Sequence, residues 1–211
     1  MLSRFVMLVA LVALAATAHG ALTHDFVLVD NSAVLPGDDP LVSDFNDGSY
    51  YSFDVLLTVS PWPGGYWDDW TESYLEAAIS GPAVFFQHPA GSDVPPDPNT
   101  ISQYPAVEFD SYFGPSREIF FATPYPVNEP TFISACWFDT INMGVGTYPL
   151  VRLTVRWVGG EAAALTVRGN SVAAITQGML FPIGPYTVTI PEPSALALLS
   201  LGAVLTLKRR H

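Results

Sequence analysis

Three groups of side chains carry the chemistry this chain offers. Glu108 and Asp110 alternate with Val107 and Phe109. On a strand that spacing puts both carboxylates on one face, about 7 Å apart, a separation suited to a glycosidase pair. Pairing with Arg152 or Arg156 on a neighbouring strand, or simple solvation, is the competing reading. A second group lies in the run PWPGGYWDDWTESY, residues 61–74. There Trp62, Tyr66, Trp67, Trp70 and Tyr74 stand beside Asp68 and Asp69. Aromatic faces stack on sugar C–H surfaces and carboxylates accept hydroxyl protons, so this run suits a carbohydrate platform. Its alternative is packing, with Trp70 and Tyr74 holding a loop to the body.

The third group is acidic. Gly37-Asp38-Asp39 and the stretch DFNDG, residues 44–48, crowd oxygen ligands together. An EF-hand loop needs Asp or Asn at its fifth position and Gly at its sixth. Counting from Asp44 gives Gly48 and Ser49, so the match fails. Asn46-Asp47-Gly48 then reads as a hairpin-type turn, and Ca2+ is the only cofactor the composition suggests. His24 and His88 lack zinc spacing, and neither a Gly-x-Ser-x-Gly elbow nor a phosphate loop occurs. No catalytic residue is assigned. Cys136, the sole cysteine, lies in an apolar run and reads as a small buried hydrophobe, with a reactive or intermolecular thiol as the alternative.

The elements that must position these residues are strands. In 51–59, Tyr51, Phe53, Val55, Leu57 and Val59 share one face while Ser52, Asp54 and Thr58 share the other. Residues 151–158 and 186–190 alternate in the same way. Shorter candidates are 26–30, 83–87, 106–110, 118–121, 131–138, 163–168 and 172–175. About ten half-polar strands separated by Pro and Gly clusters predict an antiparallel β-sandwich. One segment is ambiguous: Asp69 with Glu72 suits a helix start, whereas 74–79 suits a strand. Residues 93–99 (DVPPDPN) read as a loop.

Charge narrows the function classes. Between residues 22 and 190 there are 4 arginines and 19 acidic side chains, a net charge of −15, and no lysine. Such a surface repels phosphate backbones, so nucleic acid is excluded as a partner. With 19 prolines, 16 glycines and 13% charged residues the composition is that of a globular β-rich protein, not a disordered one.

Both ends read as addresses. Arg4 precedes an apolar stretch, residues 5–16, too short for a stable membrane span. Ala16 and Ala18 then supply small residues at −3 and −1, with Ala18-His19-Gly20 as a second register. Residues 1–20 are therefore expected to be a signal peptide handled by the Sec translocon and signal peptidase. At the other end Pro191-Glu192-Pro193 is followed by apolar residues 195–207 and by Lys208, Arg209 and Arg210. Residues 194–207 would span about 21 Å as a helix, short of the roughly 30 Å hydrocarbon core. The terminal cations would stay cytoplasmic and leave the body outside.

That order of Pro-Glu-Pro, apolar segment and basic cluster resembles the PEP-CTERM sorting signal of Gram-negative bacteria. The resemblance implies recognition by an exosortase, a membrane transpeptidase that cleaves near the Pro-Glu-Pro. It also implies passage from a membrane-anchored intermediate to the cell surface or an extracellular polysaccharide matrix. The body resembles the cohesin-like or carbohydrate-binding-module style of jelly-roll sandwich. That likeness rests on Trp137-Phe138-Asp139, Gly146-Thr147-Tyr148 and the strand LVRLTV.

The expectation is therefore an all-β sandwich over residues 22–189, between an N-terminal signal helix and a C-terminal hydrophobic helix in the tail at 190–211. It would be an exported, non-catalytic protein with a structural or adhesive role. A carbohydrate-binding module and a glycan hydrolase are the alternatives.

Overall fold

A computed structural model describes residues 22–61, 70–114, 120–121, 127–138, 144–173 and 180–192. Eleven strands lie among them: β1 (Leu22–Val29), β2 (Tyr50–Val59), β3 (Trp70–Ser80), β4 (Ala83–Phe85), β5 (Tyr112–Phe113), β6 (Phe120–Phe121), β7 (Val127–Glu129), β8 (Phe132–Phe138), β9 (Gly146–Trp157), β10 (Ala163–Ala173) and β11 (Leu180–Ile190). They form two antiparallel sheets. The first runs β1-β2-β9-β4 with β5 also on β9, and the second runs β11-β10-β3-β8-β6 with β7 also on β8. The expected all-β, two-sheet sandwich is what the chain forms. The helices expected in the signal and the tail fall outside the described residues. Among the described residues no helix is long and apolar enough to cross a membrane.

The main core is made by the two inward faces. Phe53, Val55, Leu57 and Val59 of β2 meet Leu75, Ala77 and Ile79 of β3, with Trp70 and Trp137 buried between the sheets. The helical alternative for residues from Asp69 onward is overturned, because Trp70–Ser80 is a central strand. It pairs with β10 on one side and β8 on the other. Those two ladders supply backbone partners that outweigh the weak strand preference of its Glu and Ala residues.

Two strands run further than their sequence suggests. Residues 163–168 and 172–175 read as separate strands with a gap at 169–171, yet β10 runs unbroken from Ala163 to Ala173. A Cβ on Gly169 would lie 2.0 Å from the Tyr74 carbonyl oxygen, so glycine is what lets β3 approach this closely. Likewise β9 begins at Gly146 and passes through Pro149. The register against β2 shifts there, between Val55 and Leu56, which accommodates a residue without an amide donor.

Cys136 is not buried as expected. Ile133, Ala135 and Trp137 take the inward positions of β8, which leaves Cys136 half-buried on the outer face. Burial, and then the nearby Glu72 charge, raises its thiol pKa, so it is a poor nucleophile.

The edge strands β1 and β11 close the sandwich along a seam. Phe26 stacks between Phe53 and Tyr186, at ring separations of 5.0 and 5.3 Å. The Tyr186 hydroxyl donates to the His24 carbonyl at 2.9 Å. Beneath it runs a polar chain. Trp70 Nε1 donates to Ser73 Oγ at 2.8 Å, Ser73 bonds Ser171, and Ser171 Oγ lies 2.8 Å from His24 Nε2. Indole is a donor only. Every hydrogen is therefore satisfied only if Ser73 donates to Ser171 and Ser171 donates to an unprotonated Nε2.

Burial lowers the His24 pKa to about 4, with a smaller opposing effect from the Pro182 backbone. The unfolded chain would bind this proton near 6.5. Stability from the neutral ring is thus complete above about pH 6.5 and falls as pH drops towards 4, by on the order of 3 kcal/mol. Denaturant unfolding at pH 7 and pH 4 should show this loss, and His24→Gln should flatten it.

Candidate functional site

The outer face of the five-stranded sheet is also covered. The β1–β2 connection and residues 86–111 form an irregular layer over it, and this layer holds the second apolar cluster: Val34, Val42, Phe45, Tyr50, Phe86, Ala106 and Phe109. Within the layer lie helix α1 (Pro98–Gln103) and a 3-10 turn, Pro105–Phe109. The helix starts inside the expected loop at 93–99. Asp97 caps it by accepting from the Asn99 and Thr100 amides, and Pro98 stands in its first turn. An Asp-Pro pair is a readable helix start; the prolines just before it obscured the signal.

Glu108 and Asp110 do not share a strand face. Residues 105–109 are 3-10 rather than strand, so two positions apart no longer means the same side. Glu108 is exposed and Asp110 is 1% exposed. The paired-carboxylate geometry of a glycosidase is therefore not formed. Arg152 takes the Glu108 backbone carbonyl at 2.8 Å rather than its side chain. Its carboxylate partner is Asp54 directly across the ladder, held through both oxygens at 2.8 Å. The same guanidinium lies 5.7 Å from the Phe109 ring and 5.6 Å from the Tyr112 ring. Arg152 thus ties the covering layer to the sheet.

The acidic turns are occupied by structural work. Asp44 pairs with Arg156, Asp38 accepts from the Leu35 amide at 2.8 Å, and Asp47 accepts from the Ser49 amide at 2.9 Å. Asn46 adopts φ 63° and its side-chain amide donates to the carbonyls of Asn31 and Val34. Asn46-Asp47-Gly48 is thus a turn, but it sits in the long β1–β2 connection instead of a tight hairpin. Among the described residues no group of three or more His, Cys, Asp or Glu is arranged to hold a metal ion.

Two charged groups are buried deep in the layer. Asp39, 1% exposed, accepts from the amides of Leu41, Val42 and Ala106, and its Oδ2 lies 3.2 Å from His88 Nε2. Burial pushes the Asp39 carboxyl up, but the amides and His88 outweigh it and hold the pKa below the usual value. This carboxylate is well served.

Asp110 is not. Its Oδ1 accepts from the His88 amide at 2.8 Å and from its neighbour Ser111 at 2.9 Å. Its Oδ2 is buried and has no hydrogen-bond partner. The backbone amides of His88, Ser111 and Ser92 favour the charged form of this carboxyl. Burial dominates, and with the nearby Asp93 charge it lifts the pKa to about 7. Asp110 stands at the floor of a cavity of about 180 Å³, formed with Gly91, Ser92, Pro95, Asp97 and Thr100. Sequence alone singles out Asp110 only as half of a pair and not as a buried acid, because burial is set by the covering segment and not by its neighbours in the chain.

The proposed sugar-platform residues Trp62, Tyr66, Trp67, Asp68 and Asp69 lie outside the described residues. So do the cleavage-site residues Ala16, Ala18 and Gly20, and of the sorting signal Pro193, Lys208, Arg209 and Arg210. Trp70 is a core residue and Tyr74 is exposed on the outer face of β3. Pro191 and Glu192 follow β11 directly, and the Tyr51 hydroxyl donates to the Pro191 carbonyl at 3.3 Å.

Neither a protein-family model nor a curated protein matches the sequence. Among solved structures the chain is similar to a non-cellulosomal cohesin from the hyperthermophilic archaeon Archaeoglobus fulgidus, at 13% identity and a TM-score of 0.38, covering 67% of this chain and 79% of that one. It is similar to a cohesin module from a Clostridium perfringens family 33 glycoside hydrolase, at 10% identity and a TM-score of 0.39, covering 68% and 85%. Domains D2 and D3 of the major pilin SpaD from Corynebacterium diphtheriae match at 8% identity and a TM-score of 0.40, covering 79% and 51%. Such scores mark a broad likeness of shape and stop there.

The Asp110 environment has a stability consequence. A carboxyl whose folded pKa is raised stabilises the fold only while protonated, so its contribution is lost as pH rises from about 4 to about 7. Asp110→Asn keeps an oxygen for the His88 and Ser111 amides and carries no charge. Its melting temperature should exceed that of the wild type at pH 8, with the gap closing near pH 4.

Proposed function

We propose that this chain is an exported, non-catalytic β-sandwich with a structural or adhesive role, carried by its tail to the cell surface or an extracellular polysaccharide matrix. The observation that carries this reading is how the strands end. β11 finishes at Ile190 and Pro191 is already held by Tyr51, so the Pro-Glu-Pro begins at the edge of the folded body with no linker. A transpeptidase cutting there would release an intact sandwich.

The ladder also separates the two ends of the body. Leu22 pairs with Val59 at one end of β2, whereas Tyr51, near its other end, holds Pro191. Ten residues of strand put these ends about 30 Å apart. A body tethered through its tail would point its entry end away from the membrane. Exosortase, the Sec translocon and signal peptidase are its proposed partners during export.

Fractionation of cells expressing a chain that stops after Ile190 tests the sorting step. The truncated protein should accumulate in a soluble exported fraction, while the full chain passes through the membrane fraction. Identical distribution and processing of the two would remove the sorting reading.

A second reading, a carbohydrate-binding module, draws on the same polarity. Pro61 and Trp70, which flank the aromatic segment 62–69, lie at the entry end, since Trp70 pairs with Ala173 while Ala163 pairs with Ile190. On this reading, titration with the producing cell's own polysaccharide should quench tryptophan fluorescence. The double variant Trp62→Ala/Trp67→Ala should weaken the response at least tenfold, and equal titration curves would count against it.

A further inference from the structure

The polar chain at the seam has a fixed capacity for hydrogens. Its three contacts run from Trp70 to Ser73, from Ser73 to Ser171 and from Ser171 to His24. With Nε2 of His24 unprotonated, three hydrogens fill them, one on the indole and one on each hydroxyl. A proton on Nε2 adds a fourth. Ser171 can then accept from the ring, but one hydroxyl hydrogen is left without an acceptor in the chain. Trp70, Ser73 and Ser171 are at most 2% exposed, so water is not at hand to take it, and an unanswered donor at that depth is costly. His24 is half-buried and is the member of the chain that solvent reaches.

The same residue sits at the weakest joint of the sandwich. No ladder joins β1 to β11, since β1 pairs with β2 alone and β11 with β10 alone. Around residue 24 the two sheets are joined by His24 Nε2 on Ser171 and by the Tyr186 hydroxyl on the His24 carbonyl, at 2.8 and 2.9 Å. Both bonds depend on where residue 24 lies. Phe26, two residues on, carries the stack against Tyr186.

We propose that His24 is a proton-operated latch: when its ring is protonated, β1 parts from β11 while the ladders within each sheet stay formed.

The surroundings leave this role to His24. Directly across β1–β2 its partner is Leu57, and β3 and β10 turn Ser73 and Ser171 towards it, none of them charged. From β11 comes Tyr186, whose pKa is raised by burial and then by Asp25, so it stays neutral in acid. Asp25 itself is exposed, one position along β1 and therefore on the opposite face. Among the described residues, His24 is thus the group that gains charge inside the seam as pH falls. Burial holds its ring neutral down to about pH 4, against about 6.5 for an imidazole in water. A parted seam returns the ring to water and restores the higher value. Parting accordingly becomes easier from about pH 6.5 down to about 4 and levels off below, where the ring is charged in both forms. Any buried neutral histidine lowers global stability in acid. A latch opens one seam while the rest of the sandwich holds, and it uncovers Phe26, Phe53 and the unpaired edges of β1 and β11. The latch does not depend on the sorting reading above.

Hydrogen exchange of the Trp70 indole, followed by NMR in the full-length chain, tests the latch. Its protection should fall by about tenfold or more between about pH 6.5 and about pH 4, then level off. At pH 4 it should lie about tenfold or more below that of the slowest amides in the β2–β9 ladder, as a local opening requires. His24→Gln keeps an acceptor for Ser171 and carries no titrating group, so its Trp70 protection should hold steady over the same range. Ser171→Ala removes the hydroxyl from which a neutral ring accepts. The His24 Cε1–H resonance of that variant should titrate about one pH unit or more above the wild type. Trp70 protection that ignores pH, an equal acid response in His24→Gln, an unshifted His24 titration in Ser171→Ala, or indole exchange no faster than that of the ladder amides would overturn the proposal.

Discussion

Both faces of the five-stranded sheet are covered, and the rest of the molecule follows from how the polar atoms trapped by that covering are satisfied. An antiparallel sheet commonly keeps one face in water. Here the inner face meets the second sheet and much of the outer face meets the β1–β2 connection and residues 86–111. Outward strand positions that would otherwise be solvated must then find partners. Ser52 and Thr154 bond each other at 2.8 Å, and the Ser111 hydroxyl accepts from the Thr154 amide while donating to its carbonyl. Asp54 is neutralised by Arg152, its neighbour on β9. Covering a polar face is tolerable only because most of the buried groups are answered in this way.

Scarcity of positive charge gives those answers their pattern. The three arginines among the described residues each serve one acid: Arg152 on Asp54, Arg156 on Asp44 and Arg168 on Glu76. With the cations committed, the remaining buried carboxylates rely on backbone amides. Asp39 gathers three amides and His88, and its charge is well supported. Asp110 gathers two on one oxygen and none on the other. The same layer therefore contains a settled carboxylate and an unsettled one. That contrast comes from how many amides reach each carboxylate, not from acidity as such.

The seam contributes a different kind of order. The edges β1 and β11 meet through Phe26, Tyr186 and the His24–Ser171–Ser73–Trp70 chain, so the sandwich is closed by aromatic packing and directional hydrogen bonds where no ladder joins the two sheets. Closing it this way leaves the first and last strands running in the same direction. The chain consequently enters at one pole and departs from the other. The proposed tether and the proposed presenting end are thus separated by the length of the sandwich.

Much of this was legible in the residues. The alternation of Tyr51, Phe53, Val55, Leu57 and Val59 determined an inward face without reference to anything distant, because side-chain direction along a strand is a local property. The expectations about the terminal signals are local in the same sense, since hydropathy, small residues and basic flanks are read in sequence order. Other features needed the fold. The expected strands at 151–158 and 163–168 left out Pro149 and Gly169, which a bulge and a close strand approach bring into β9 and β10. Glu108 and Asp110 looked like a pair until Pro105–Phe109 turned as a 3-10 segment. Cys136 looked buried until Ala135 and Trp137 claimed the inward positions. By itself the sequence determined a two-sheet, all-β body of strongly acidic character. Only the tertiary structure decided which acid would be buried with an oxygen unmatched, because burial depends on which remote segment comes to lie over a residue.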